Sequence, residues 1–233
     1  DPRSPVKTSR VGELIGRQYR DLRPPYGNLA KEITAGIAAG VRVFVLDAEN
    51  SEQLAQIARL SIPNTAFVGS AGLAAFLTPD LPAREPPGEY TARRLLYVVG
   101  SISKMATEQI ARFEAAVPGA KIVRVPPLQL LSGEASALPS DTEVLCLAEG
   151  EYRSEQVRAL AAGSGLRDPA ALLVGAFGKL AAELIRKTGA DTVFLSGGDT
   201  AQAVLGELGT RQLEVLAELL PGIALCKAAE RYF

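Results

Sequence analysis

Three places in the chain repeat one small-residue pattern: Val68-Gly69-Ser70-Ala71-Gly72-Leu73, Val99-Gly100-Ser101-Ile102-Ser103-Lys104 and Leu195-Ser196-Gly197-Gly198-Asp199-Thr200-Ala201. Each follows an apolar run and precedes a helical period. At the carboxyl end of a parallel strand, such a turn presents backbone N–H groups and the positive end of a helix dipole to one crevice. Glycine allows close approach to the main chain, and Ser or Thr adds a hydroxyl. Anionic oxygens, phosphate above all, suit that chemistry. Strand-to-helix turns also need Gly and an N-cap for purely structural reasons, so one such turn decides nothing. Two in the second half of the chain, Gly-Ser and Gly-Gly, argue for a polyphosphate cradle there.

Other chemistries are excluded. The 233 residues contain no His, which removes histidine bases, Ser-His triads and His-ligated zinc. Cys146 and Cys226 each lie in an apolar run with no CxxC pair, and are expected to be buried free thiols; no metal site is expected. Lys+Arg of 25 against Asp+Glu of 26 gives a net charge of -1, so nucleic acid and acidic membrane surfaces are not expected partners. No apolar run approaches the roughly 18 residues of a membrane span, and no signal-peptide pattern opens the chain, so a cytoplasmic protein is expected. The chain opens on Asp1 and its only Met is Met105, so it does not begin at an ordinary initiator. Neither a P-loop nor a GxGxxG after a strand is present; Gly175-Ala176-Phe177-Gly178-Lys179 is too short and sits inside a helical stripe.

Strand and helix signals alternate, which predicts an α/β fold of two lobes with mainly parallel sheets. The first lobe, 1–77, reads as partial. It has a helix from about Ser9 to Tyr19 with Val11, Leu14 and Ile15 on one face, and a helix from about Asn28 to Ala39. A strand from Val41 ends at Asp47, Asn50 and Gln53 have capping-box spacing for the next helix, and Ala66-Phe67-Val68 reads as a short strand. The Pro-rich segment 78–94 is a linker, with Arg93 and Arg94 as solvated charges. The second lobe, 95–233, reads as complete. The continuous apolar strand Leu95 to Val99 predicts a sheet covered on both faces, with Tyr97 and Phe194 in the core. A helix carries Ala106, Ile110, Phe113 and Val117, and strands follow at Lys121–Val125 and Glu143–Leu147. A long helix from Pro169 to Lys187 shows Leu173, Phe177, Leu180 and Leu184, and leads to a strand over Thr192–Leu195. Strand-like runs near Leu213–Leu219 and Ile223–Cys226 close the chain.

In order and spacing these elements resemble the four-carbon acid sugar kinase family, over nearly the whole chain but only the later part of a family member. The resemblance rests on Pro5, Ser9 and Val11, the strand ending at Asp47, and the Val68–Ala74 turn. It rests also on Val98 to Ile110 with Gln109 in the helix, and on Phe194 to Gly209. It implies ATP-dependent phosphorylation of a four-carbon sugar acid at its terminal hydroxyl, with Mg²⁺ accompanying ATP. The first lobe would be a partial sugar-acid domain, with Asp47, Ser70 and Gly72 on the substrate side. The second would be a nucleotide-binding domain, with Gly100, Ser101, Ser103, Gly197, Gly198, Asp199 and Thr200 at the nucleotide. The partners are then a small sugar acid and ATP, with a homodimer left open.

Two departures bear on activity. The family carries an Asp-Asp-x-Thr-Gly motif, and no Asp-Asp pair occurs in this chain, so the catalytic residue is left unassigned. The family also ends in a Lys-x-Gly-x-Phe-Gly loop that closes on the nucleotide, where this chain has Lys227-Ala228-Ala229-Glu230-Arg231-Tyr232-Phe233. A catalytically inactive nucleotide-binding or regulatory module is therefore the alternative, and a sugar-phosphate-binding protein unrelated to ATP a third. Asp199 and Gln202 have capping-box spacing, so Asp199 reads either as a helix cap or as a partner of Mg²⁺. Lys104 reads as a phosphate contact or a solvated first-turn charge.

Overall fold

The computed structural model describes residues 8–77, 91–134, 138–148, 150, 154–163, 169–220 and 222–233. The chain parts into two units, Asp1–Ala83 and Arg84–Phe233. Of the linker expected at 78–94, all but Thr91 to Arg94 lies outside the described residues, as does Pro5.

In the first unit, helix α1 (Val11–Ile15) stops at Gly16, whose φ of 65° turns the chain after five residues. Strand β1 (Tyr19–Leu22) follows, so the longer helix expected to Tyr19 does not form. Its stripe of Val11, Leu14 and Ile15 is exposed. Gly12 is the buried residue instead, because a Cβ there would fall 2.0 Å from Tyr19 Cε2. Helix α2 (Leu29–Ala38) begins under Asn28, whose Oδ1 accepts from the Lys31 N–H at 3.0 Å. Strand β2 (Val43–Leu46) pairs in parallel with β1, from Tyr19↔Val43 to Leu22↔Leu46. Asn50 Oδ1 caps helix α3 (Ser51–Ala58) at the Gln53 N–H, and Gln53 Oε1 accepts from Glu49, one residue earlier than a capping box requires. Helix α4 (Ala71–Leu77) completes a small core of Leu22, Leu29, Ile33, Ile57 and Leu73. Ala66 to Val68 form no strand: the two-stranded sheet is β1–β2 alone, and Val68 is 97% exposed. Three apolar residues without a neighbouring ladder cannot hold a strand.

The second unit comprises β3 (Leu95–Val99), α5 (Lys104–Ala116), β4 (Ile122–Val125), α6 (Pro127–Ser132), β5 (Val144–Leu147) and α7 (Glu155–Gly163). Then follow α8 (Pro169–Thr188), β6 (Thr192–Ser196), α9 (Gly198–Glu207), β7 (Glu214–Leu220), β8 (Ile223–Ala228) and β9 (Arg231–Tyr232). Seven strands form one sheet in the order β4-β5-β3-β6-β9-β8-β7. Strands β4, β5, β3, β6 and β9 run parallel, and β8 runs antiparallel to both its neighbours, β9 and the edge strand β7. The fold is α/β with a mostly parallel sheet. Helices α6 and α7 and strand β9 were not expected; α6 starts at Pro127 behind Pro126, a pair that reads as a breaker yet suits a first helical turn.

The two faces of this sheet differ. Leu96 and Val98 of β3 are 1% and 0% exposed and pack with Leu145, Val193, Phe177, Leu184 and Ile185 in the main core. Their strand neighbours Leu95, Tyr97 and Val99 are half-buried. On that second face, Tyr97 contacts Phe113 of α5 at 5.2 Å and Phe194 of β6 at 5.6 Å between ring centroids. Phe194 is 36% exposed. Complete cover on both faces is therefore corrected: one face is a core under α8, the other a thinner aromatic layer under α5. Cys146 is buried, and burial first, with Glu114 adding and Arg124 opposing, pushes its thiol up. Cys226 is only half-buried, contrary to expectation.

Arg93 and Arg94 are not idle linker charges. At the amino end of β6, Asp191 accepts from the Arg93 and Arg94 N–H groups at 3.2 and 3.1 Å, from Arg93 Nε at 3.2 Å and from the Thr192 hydroxyl at 3.1 Å. Desolvation pulls the Asp191 carboxyl upward, but the hydrogen bonds from Arg94, Thr192 and Arg93 outweigh it and hold it below the usual value. Because the folded carboxyl titrates below its unfolded counterpart, its stabilisation is complete above about 3.9 and is lost as pH falls through the lower folded value. Asp191→Asn is expected to lower the melting temperature at neutral pH and flatten its fall in acid; an acid profile identical to wild type would remove this role.

Helix α9 lies unusually close to α8. A Cβ on Gly178 would stand 2.6 Å from Ala203 Cβ and 2.9 Å from the Ala203 carbonyl carbon. Backbone cannot step aside as a flexible side chain can, so Gly178→Ala is expected to cost about 1–3 kcal/mol. A lower urea midpoint at unchanged m checks this.

Candidate active site

The parallel register Val99↔Ser196 brings the turns after β3 and β6 side by side at the carboxyl end of the sheet. Their contact is Gly100 against Thr200. A Cβ on Gly100 would lie 1.9 Å from Thr200 Oγ1 and 3.0 Å from both Cβ and Cγ2. Thr200 is only 4% exposed, so its hydroxyl is spent on the space between the turns and not on open solvent.

Helix α9 starts at Gly198, with Gly197 as N-cap at φ 102° and no side-chain cap. The positive φ demands glycine, and the missing cap leaves the first-turn amides without a side-chain partner of that kind. Asp199 is therefore the second helical residue and not the cap, which corrects the capping-box reading with Gln202. Gly198 faces open space: nothing stands within 4 Å of where its Cβ would be.

Helix α5, by contrast, is capped. Ser103 Oγ accepts from the Ala106 N–H at 3.2 Å and from the Ser101 hydroxyl at 3.1 Å, while the Ser103 N–H donates to Ser101 Oγ at 3.3 Å. This closed knot holds both hydroxyls beside Gly100. Lys104 pairs with Glu108 at 3.8 Å and is 93% exposed, the solvated alternative; Gln109 is also exposed. Ser103→Ala is expected to cost about 1 kcal/mol of stability through the lost cap, measured as a lower thermal midpoint.

The remaining candidates belong to the first unit. Asp47 is exposed beyond β2, 3.4 Å from Arg23 Nε, and its carbonyl accepts from the Tyr26 hydroxyl. Burial first and the Asp47 charge second push the Tyr26 phenol upward, keeping it protonated. Arg23 and Tyr26 went unnoticed in the sequence because β1, which brings them to Asp47, carries no apolar alternation. Ser70 precedes α4, and Gly72 faces α3, with ordinary contact distance of 3.5 Å from its Cβ position to Leu54 Cδ1.

The tail Lys227–Phe233 is placed differently from the expected closing loop. It turns at Ala229, φ 50°, and pairs Tyr232 with Thr192, at the amino end of β6. A cavity of about 330 Å³ lies there, lined by Gly189 to Asp191 and Ala228 to Arg231. Both are at the opposite end of β6 from Gly100 and Thr200.

Residues 96–232 match the family model described as a nucleotide-binding C-terminal domain. A D-threonate kinase of Bordetella bronchiseptica is 30% identical over 233 residues, covering 97% of this chain and 54% of that protein. A D-threonate kinase of Salmonella typhimurium is 27% identical over 253 residues, covering 96% of this chain and 57% of its own length. The chain belongs to the four-carbon acid sugar kinase family. It spans about half the length of the curated family members it matches. Their fold is shared by solved structures as well. A Salmonella typhimurium LT2 protein superposes with a TM-score of 0.66 at 20% identity, over all of this chain and 60% of that one. A Haemophilus influenzae protein of the same family gives 0.53 at 18%, over 92% and 56%. Kinase family members thus supply the fold and the family; the two adjoining turns are this chain's own geometry.

Proposed function

We propose that this chain takes part in ATP-dependent phosphorylation of a four-carbon sugar acid at its terminal hydroxyl, contributing mainly the nucleotide-binding part. The observation that carries the reading is the contact of Gly100 with Thr200, which gives two small-residue turns one shared mouth. In it, the uncapped amino end of α9 at Gly197, Gly198, Asp199 and Thr200 directs amides and dipole at ATP phosphate oxygens. From the facing turn, Gly100 lets the main chain come close, and Ser101 and Ser103 supply hydroxyls. Phosphoryl transfer asks mainly for positioning and charge stabilisation, which is what such a cradle provides.

Mg²⁺ fits this donor set. Among the described residues no group of three or more His, Cys, Asp or Glu could cage an ion. Magnesium commonly relies on substrate phosphates with one or two carboxylates, and Asp199 is the carboxylate at the mouth. When bound, the ion would neutralise phosphate charge. Asp47, Ser70 and Gly72 of the first unit are assigned to the sugar acid. No helix among the described residues is long and apolar enough to cross a membrane, and two free thiols suit a reducing, cytoplasmic setting.

A second reading is a module of the same family that binds nucleotide without transferring phosphate. Calorimetry with MgATP and with ADP tests both. Both ligands are expected to bind, and Gly198→Asp to weaken MgATP by at least about tenfold, since it sets a carboxylate where phosphate should sit. The open space at Gly198 predicts an unchanged melting temperature, so the loss cannot be blamed on misfolding. Equal affinity in wild type and Gly198→Asp would place the nucleotide elsewhere. Binding without turnover of threonate, erythronate or their oxo relatives would select the second reading.

A further inference from the structure

We infer that Gly100 is a positioning residue: lacking a Cβ, it seats Thr200 and so sets the spacing between the amino end of α9 and the Ser101–Ser103 turn. This rests on the nucleotide reading above and assigns Gly100 a task distinct from touching phosphate. Helix α9 is located by two glycine contacts on different partners. Along its length Gly178 of α8 admits Ala203, and at its start Gly100 in the turn after β3 admits Thr200. The first contact fixes how closely α9 lies on α8. The second fixes how far its first turn stands from the β3 turn.

The seat is stiff. Thr200 is buried and β-branched, so rotation about χ1 exchanges Oγ1, Cγ2 and hydrogen over the same spot. Even with hydrogen facing Gly100, the Thr200 Cβ would remain 3.0 Å from an added Cβ, tighter than ordinary contact. Any side chain at position 100 therefore moves the start of α9, held from behind by Gly178. The Ser101–Ser103 knot does not follow, because its hydrogen bonds close on themselves and on α5. The mouth changes width, and a polyphosphate that spans both turns loses contact with one of them.

A double-mutant cycle reads this directly. MgATP and inorganic tripolyphosphate are titrated into the full chain as wild type, Gly100→Ala, Thr200→Gly and the double variant, with thermal midpoints recorded alongside. Gly100→Ala is expected to weaken both probes by about tenfold or more in the wild-type background and by less than about threefold in the Thr200→Gly background, where no Cβ faces position 100. Equal penalties in the two backgrounds, or no penalty at all, would overturn the positioning role, even if the midpoints shift. If Gly100→Ala does not fold, the double variant decides: folded and binding supports the seat, unfolded overturns it. Wild type that binds neither probe would overturn the nucleotide reading and this role with it. Failure of the nucleotide reading thus shows in wild type, and failure of the seat only in the variants.

Discussion

The second unit turns on one steric fact: β3 is followed at once by a residue without a side chain, and the buried Thr200 occupies the room this leaves. Parallel neighbours in an α/β sheet always end at the same edge, but that alone separates their turns by a strand spacing filled with side chains. Removing the Cβ at position 100 closes the gap. Two amide-rich turns become one concave surface, with the uncapped end of α9 on one side and the Ser101–Ser103 knot on the other. Electrostatics of the cradle follow from this steric fit, since a helix dipole acts only within its first turn.

What holds that edge still is the asymmetry of the sheet. The face bearing Leu96, Val98 and Val193 is sealed by α8 into a core of fully buried aliphatic side chains. Helix α9 inherits its position from this core through the Gly178–Ala203 approach. The opposite face carries the lighter Tyr97, Phe113 and Phe194 layer, which orients α5. Each turn of the candidate site is thus anchored on a different face, and beyond the end of the β3–β6 ladder Gly100 with Thr200 ties them.

The two ends of β6 divide labour. Its amino end is a structural clasp, where Asp191 gathers the entry of β3 through Arg93 and Arg94, and Arg231 Nε donates to the Ala190 carbonyl at 2.9 Å. Its carboxyl end carries the glycines and hydroxyls. Asp191 accepts hydrogen bonds from two main-chain amides, a guanidinium and a hydroxyl, as suits an end whose task is rigidity.

Much of this was legible in residue order. Apolar runs and helical stripes located β3, α5, α8, β6 and α9, because burial patterns repeat with the period of the element that buries them. The Gly-Ser and Gly-Gly turns could be located too, because glycine and hydroxyls stand out between an apolar run and a helical stripe. Short elements escaped notice: β1, α6 and β9 are too brief to display a period, and Ala66 to Val68 showed a strand's composition without a ladder to join. Composition also could not tell that Phe194 faces a half-open layer or that Asp191 claims Arg93, since both depend on residues far away in the chain. Sequence by itself determined which strands run straight into turns of glycine and hydroxyl residues. Only the tertiary structure decided that two of them meet, because that requires Val99 to register with Ser196 and a methyl-sized space at Gly100 to be filled by a residue a hundred positions on.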